Sequence, residues 1–351
     1  MTGFDPHVVG RILVLENEQI RATVLPDQGA DLASLIDQRT GHELLFQAPG
    51  GRRDRRWLPP YEDSQSNWMA AYGGGWQVLC PNAGAETNGP GVRWGYHGEA
   101  CLLAWTVLRA APRAAELEVR LSTAPLHLRR RISLQNEAIR VEEELTNESE
   151  AGIEVMWVQH PAFGQPLIGP GARLETAARL IRTDSELAGD TLAAGRQWPW
   201  PVAADRRGRP VDLRELPGPL QRRALLAYLE NFDRHEVAIV NQRLDLRVTL
   251  RWSGEAWPSA WLWQEVHATK HYPWFGRAHV VAIEPASTVP AWGAQRARQH
   301  GGSLLYLGAR ACRTSWIELE ASSIEAHGGT SAAAPARTSP PFTSSRSGRD
   351  E

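Results

Sequence analysis

Three side chains in this sequence have the chemistry to exchange protons and settings that favour it: His97 in RWGYHGEA, His160 in WVQHPAFG and Glu284 in VVAIEPAS. Each lies at a strand-like end beside a residue that breaks one. His160 follows the apolar run 153–158 and is stopped by Pro161; Glu284 follows 280–283 and is stopped by Pro285. A carboxylate at the end of an almost wholly apolar strand is shielded from water. It then either finds a partner or works as a base with a raised pKa. An imidazole, with an ordinary pKa of about 6.5, is the natural acid to set against it. Taken singly, each has a plainer reading: a hydrogen-bonded structural histidine, or a salt-bridged glutamate at a sheet edge.

Other polar groups stand in glycine-rich or apolar surroundings. In AYGGGWQVLCPNAG, three consecutive glycines, 73–75, precede Trp76, Gln77 and Asn82. A bulge or turn explains such a run, as does the close approach of a ligand to the backbone. HATKH places His267 and His271 four apart, a metal-binding spacing only on a helix; the strand-like WLWQEV before it and Tyr-Pro after it argue against a helix, so no metal is expected. GRRDRR, 51–56, is either a solvated loop or a grip for an anionic substituent. No Gly-x-Ser-x-Gly elbow, phosphate-binding loop or dinucleotide fingerprint is present.

The elements that must hold these groups are strands. Period-2 alternation runs through RILVLENEQIRATVLP, ADLASLIDQ, HELLFQ, LEVRLST, LHLRRRISLQNEAIRVEEELTNES, HEVAIVN, LDLRVTLRW, SAWLWQEV and SWIELEA. QNEA reads as a hairpin turn. PGPLQRRALLAYLEN is the best helix candidate and a weak one, and 49–68 reads as a long irregular loop. Some fifteen strands separated by turns predict an all-β sandwich or barrel. A single domain over 1–326 is expected, followed by a Ser/Thr/Ala/Pro-rich tail, 327–351, with too little apolar surface to order itself.

Composition excludes several partners. A net charge of −2 gives no field to steer nucleic acid or an anionic membrane. No apolar run reaches membrane-spanning length, and the N-terminus has no secretory pattern. Three cysteines, Cys80, Cys101 and Cys312, without Cys-x-x-Cys spacing make a disulfide framework or zinc site a poor fit. The expectation is a soluble, reduced, cytoplasmic protein. Fifteen tryptophans are unusual. Most are expected in the core, but flat aromatic faces also stack on sugar rings, which points to carbohydrate.

Taken together and in order, the fragments GADLASLIDQRTGHELLF, GGWQVLCPNAG with YHGEA, QHPAFG, and WLWQE with YPWFGRAHVVAIEPAS resemble the aldose 1-epimerase (galactose mutarotase-like) family across most of residues 8–320. The resemblance implies a large antiparallel β-supersandwich with an open sugar cleft and no cofactor. It maps the general base onto Glu284, the general acid onto His160, and a second histidine near the ring oxygen onto His97. A neighbouring carboxylate is expected to keep His160 protonated. Gln77 and Asn82 would bind sugar hydroxyls, and Trp76 or Trp263 would stack on the ring. Many members carry an arginine where this chain reads CPNAG, so the identity of the sugar, neutral or anionic, stays open, as does the oligomeric state. The alternatives are a sugar-binding or regulatory protein without catalysis, a metal-dependent sugar isomerase using His97, His160, His267 and His271, and a glycosidase pairing Glu284 with Glu99 or Glu265.

Overall fold

Alternation becomes strand wherever it is long enough to bury one face. In Leu126–Gln135 and Ala138–Asn147 every second side chain is buried, as a period-2 chain requires when one face meets a core and the other meets water. The two strands pair antiparallel with Gln135 opposite Ala138. Asn136 and Glu137 alone make the turn, and Asn136 takes the left-handed conformation (φ 51°) that asparagine tolerates. Cys312–Ser322 and Leu246–Trp252 extend this ladder.

The computed structural model describes residues 4–53 and 58–324. Asp54, Arg55 and Arg56 of the arginine-rich loop, and the tail 327–351, lie outside the described residues. Seventeen strands join in one antiparallel network, with three further two-stranded pairs. The fold is the expected all-β supersandwich. No helix among the described residues is long and apolar enough to cross a membrane.

At the centre, Trp76–Leu79, Val158–Phe163 and His279–Ala286 are buried at every position. Trp76, Trp105, Trp157, Trp257 and Trp261 are among the largest fully buried side chains. Each such aromatic removes about 150–250 Å² from water. At ~25 cal/mol per Å² that contributes about 4–6 kcal/mol before ordering entropy is subtracted. Most of the described tryptophans therefore serve packing.

Two elements differ from the sequence reading. The helix candidate is a strand: Arg223–Asn241 pairs with Ser259–Val266 and with Ala172–Thr183. Its residues 225–229 are buried consecutively, and an apolar run buried on both faces carries no period by which to separate strand from helix. Within the irregular loop, Ser64–Ala71 is helical, and the Asp63 side chain caps it by accepting from the Ser66 N–H at 2.7 Å.

Candidate active site

Strand register lines up the proton-exchanging groups. The pairs Val158↔Ala286 and Ala162↔Ala282 set His160 opposite Glu284. His160 pairs with Gln77 on its other side, Glu284 pairs with Trp261, and Trp261 pairs with Tyr228. Opposed residues on neighbouring strands share a face, with Cβ atoms about 4.5–5.5 Å apart. Gln77, His160, Glu284, Trp261 and Tyr228 thus form one row across five strands. A cleft of about 560 Å³ opens over it, lined by His97, His160, Glu284 and Trp263 together with Trp68 and Trp274. That size suits a small polar-and-apolar ligand.

His160 Nε2 lies 3.7 Å from Glu284 Oε1, and both side chains are almost fully buried. Burial pushes the Glu284 carboxyl well above its ordinary value and the His160 imidazole down to about 4. This corrects one expectation: the nearby carboxylate does not keep His160 protonated, because desolvation of the imidazolium outweighs it. Both shifts favour the neutral forms, which places a shared proton on the carboxyl rather than on the imidazole.

His97 sits in a tight turn with left-handed backbone (φ 62°). Its N–H donates to the Gly84 carbonyl, and its Nδ1 accepts from the Gly84 N–H, each at 3.0 Å. An accepting Nδ1 puts the ring proton on Nε2. Burial and the neighbouring His160 hold this ring neutral. His97 is therefore a neutral donor with a defined tautomer. Its ring packs 4.5 Å from Trp68 and 5.8 Å from His160, centre to centre.

Not every expected residue faces the cleft. Trp76 is fully buried and donates from Nε1 to Gln159 Oε1 at 2.9 Å, tied into a core network rather than presented to a ligand. Asn82 is a staple: Nδ2 donates to the carbonyls of Ala85 and Gly95 at 2.8 and 2.9 Å, and Oδ1 accepts from the Ala294 N–H at 2.9 Å. It thereby pins the turn that carries His97. Gln77 donates from Nε2 to Asp31 Oδ2 at 2.8 Å, below the cleft floor. Trp263 does line the cleft, 6.2 Å from the His160 ring.

The glycine run is answered by protein rather than ligand. Gly74 and Gly75 have φ of 83° and 88°, and side chains there would strike the Phe46 and Leu32 carbonyls. Arg52 turns inward as well, donating to the Gly74 carbonyl at 2.6 Å and pairing with Asp31 at 3.3 Å. His267 and His271 stand in a loop, their Nδ1 atoms directed at the Gly276 and Tyr272 carbonyls. Among the described residues no three potential ligands are grouped to hold a metal. Glu99 accepts from Thr123, and both oxygens of Glu265 cap the 268–269 turn, so neither is a second carboxylate poised against Glu284.

The sequence reading missed Trp68, Tyr72, Tyr96 and Trp274, which enclose the two histidines. Trp68 and Tyr72 come from the helix 64–71 and its C-terminal cap, and their rings stack at 4.5 Å. The signal was there: an Asp before Ser-Gln-Ser is a helix-start pattern. Burial raises the pKa of both tyrosines.

Fold and cleft together define a galactose mutarotase-like protein in architecture. Slr1438 protein from Synechocystis sp. PCC 6803 superposes with a TM-score of 0.65 at 16% identity, covering 92% of this chain and 100% of that one. A galactose mutarotase-like protein from Lactobacillus casei gives 0.64 at 17%, covering 89% and 100%. The galactose mutarotase related enzyme from Lactobacillus acidophilus gives 0.62 at 16%, covering 89% and 98%. At such identities the likeness is one of fold. By sequence, the chain belongs to the family described as a domain of unknown function (DUF4432), which matches residues 9–203. No curated protein matches it.

Proposed function

We propose that this protein is an aldose 1-epimerase, a mutarotase that interconverts the α and β anomers of a hexose or related sugar. The observation that carries the reading is the meeting of His97, His160 and Glu284 in one cleft, with His160 and Glu284 face to face at 3.7 Å. The mutarotase-like solved structures of the same fold support it.

Mutarotation opens a cyclic hemiacetal and recloses it on the other face. The anomeric hydroxyl loses a proton, the ring oxygen gains one, and the ring C–O bond breaks. Rotation about the C1–C2 bond then exposes the other carbonyl face before the steps reverse. Proton count is conserved, so a pair that carries one proton is matched to the task. Substrate hydroxyls entering the cleft resolvate the pair and let the proton pass from Glu284 to His160. The carboxylate then takes the proton of the anomeric hydroxyl while the imidazolium protonates the ring oxygen. The Nε2–H of His97 donates to an oxygen of the sugar and holds it in place. Trp263 offers an apolar ring face. Each proton-transfer group contributes roughly 10²–10⁴-fold.

The test is NMR exchange between anomers over a panel of neutral and anionic sugars. Glu284→Gln and His160→Ala are each expected to lower the rate by at least about 100-fold. Undiminished exchange in both would overturn the assignment, and saturable binding of a sugar without exchange would favour a sugar-binding protein.

A further inference from the structure

The loop 267–278 joins the strand that carries Trp263 to the strand that carries Glu284, and it is braced throughout. Both oxygens of Glu265 hold its start, accepting from the Ala268 and Thr269 N–H groups and from the Thr269 hydroxyl. The Phe275 N–H donates to the His271 carbonyl at 2.8 Å, and the Gly276 N–H to that of Thr269 at 2.7 Å. The Tyr272 hydroxyl donates to the Ser66 carbonyl at 3.2 Å, tying the loop to the helix 64–71. Two aromatic side chains are nevertheless left in water. Tyr272 is 42% exposed and Phe275 57%, with rings 6.3 Å apart and edge to face. Phe275 also has left-handed backbone (φ 50°), a genuine outlier for a bulky residue and a kind of strain that clusters at ligand sites. A loop held rigid with aromatic faces in water is prepared for a ligand.

We propose that Tyr272, braced by Phe275, forms an outer sugar subsite, so that the substrate is a saccharide of at least two rings. The reducing ring lies beside His160 and Glu284, and the next ring stacks on Tyr272. The proposal rests on the mutarotase reading given above and names its substrate class. Tyr272 lines the same cleft as His160 and Glu284, so the exposed ring is continuous with the site. At about 560 Å³, the cleft lies in the range that encloses a ligand of drug size, larger than one pyranose. Aromatic rings connect the two ends: Trp263 stands 6.2 Å from the His160 ring and Trp274 stands 6.0 Å from Trp263. Beside Tyr272, the exposed His271 turns Nδ1 to the Tyr272 carbonyl at 2.9 Å. That carbonyl only accepts, so in the neutral ring Nδ1 carries the proton and Nε2 is left to accept from a hydroxyl. An apolar face beside a polar acceptor matches a pyranose, with its C–H face and its rim of hydroxyls. Two rings are also far too small a patch for a stable protein interface, which buries about 1,200–2,000 Å². The outer ring is joined through a hydroxyl other than the anomeric one, so ring opening proceeds as described.

The experiment compares anomer exchange of hexoses with that of α- and β-linked disaccharides bearing the same hexose at the reducing end, using the full chain. Saturation-transfer NMR on the same sugars reads which ring is held. In the wild type, kcat/KM for at least one disaccharide is expected to exceed that of its hexose, with saturation reaching both rings. Tyr272→Ala is expected to lower this preference roughly 3- to 10-fold. Tyr272→Phe, which keeps the ring and loses the bond to Ser66, is expected to retain it. Equal or poorer kcat/KM for every disaccharide overturns the proposal, as does a preference unaltered in Tyr272→Ala. Loss of the preference in Tyr272→Phe to the same extent as in Tyr272→Ala also overturns it, because the effect then runs through the loop anchor and not through stacking. A wild-type dimer that Tyr272→Ala dissociates in sedimentation would assign the patch to a second copy of this chain and overturn the subsite. If Tyr272→Ala does not fold, saturation confined to the reducing ring in the wild type overturns the proposal and saturation of both rings supports it. If the wild type accelerates exchange of no sugar, the mutarotase reading falls, while the saturation pattern still decides whether the rim holds a second ring.

Discussion

A buried carboxyl and a buried imidazole at 3.7 Å are driven by desolvation toward the same neutral condition from opposite directions. Their apparent pKa values belong to the pair rather than to either residue. The pair works while it carries one proton. It gains a second as pH falls through about 4, where His160 charges. It loses its last only at a pH well above the ordinary carboxylate range. We therefore expect kcat/KM to fall on the acid side below about pH 4 and to fall again on the basic side, at a pH above the ordinary carboxylate range. An acid limb with its midpoint at the ordinary imidazole pKa of about 6.5 would contradict this assignment. The residues themselves stood out in the sequence as polar groups after nearly apolar runs, but the strands do not stop at Pro161 and Pro285: Val158–Phe163 and His279–Ala286 run through them. Their protonation could not be read there, because it depends on how completely the surrounding strands exclude water.

Among the elements, the helix Ser64–Ala71 carries most consequence for its length. It and its C-terminal cap pack Trp68 against both histidine rings and Tyr72 against that of His160. A short helix is marginal by itself, so its cap matters. Asp63→Ala should lower local stability by removing the cap and loosen the aromatic wall. Sugar KM should then rise while the chemical step is little affected, a contrast that steady-state kinetics can measure. This helix lay hidden in a loop reading because only Trp68 and Ala71 of its residues are buried, too few to set up a helical period. The strand Arg223–Asn241 was hidden for the converse reason, an apolar stretch buried on both faces. The amphipathic strands such as Leu126–Gln135 were plain, because half of each faces water. The glycine run was left open between a turn and the approach of a ligand: sequence reveals the need for φ > 0 and not which atom crowds the site.

For the whole molecule, a second buried network ties the site to the sandwich. Arg130 donates to Glu143 at 2.6 Å, and Glu143 also accepts from Trp157 and from Gln159 at 3.0 and 2.6 Å. Gln159 in turn accepts from Trp76. Glu143→Ala would strand the Arg130 charge in the core and should cost about 3–5 kcal/mol, read from the chemical-denaturation midpoint. None of these long-range pairings could be read from a single chain, since Gln77 and His160 meet only after the strands have found their register. That register has an evolutionary corollary. Along a strand, side chains alternate between faces, so inserting or deleting one residue within Val158–Phe163 or His279–Ala286 would invert the parity and turn His160 or Glu284 away from the cleft. Length changes in the surrounding rim, in the helix 64–71 or in the 267–278 loop that carries Trp274 leave that parity intact. Selection can thus recut the rim and change what the cleft admits, while the row that carries His160 and Glu284 stays locked to the weave beneath it.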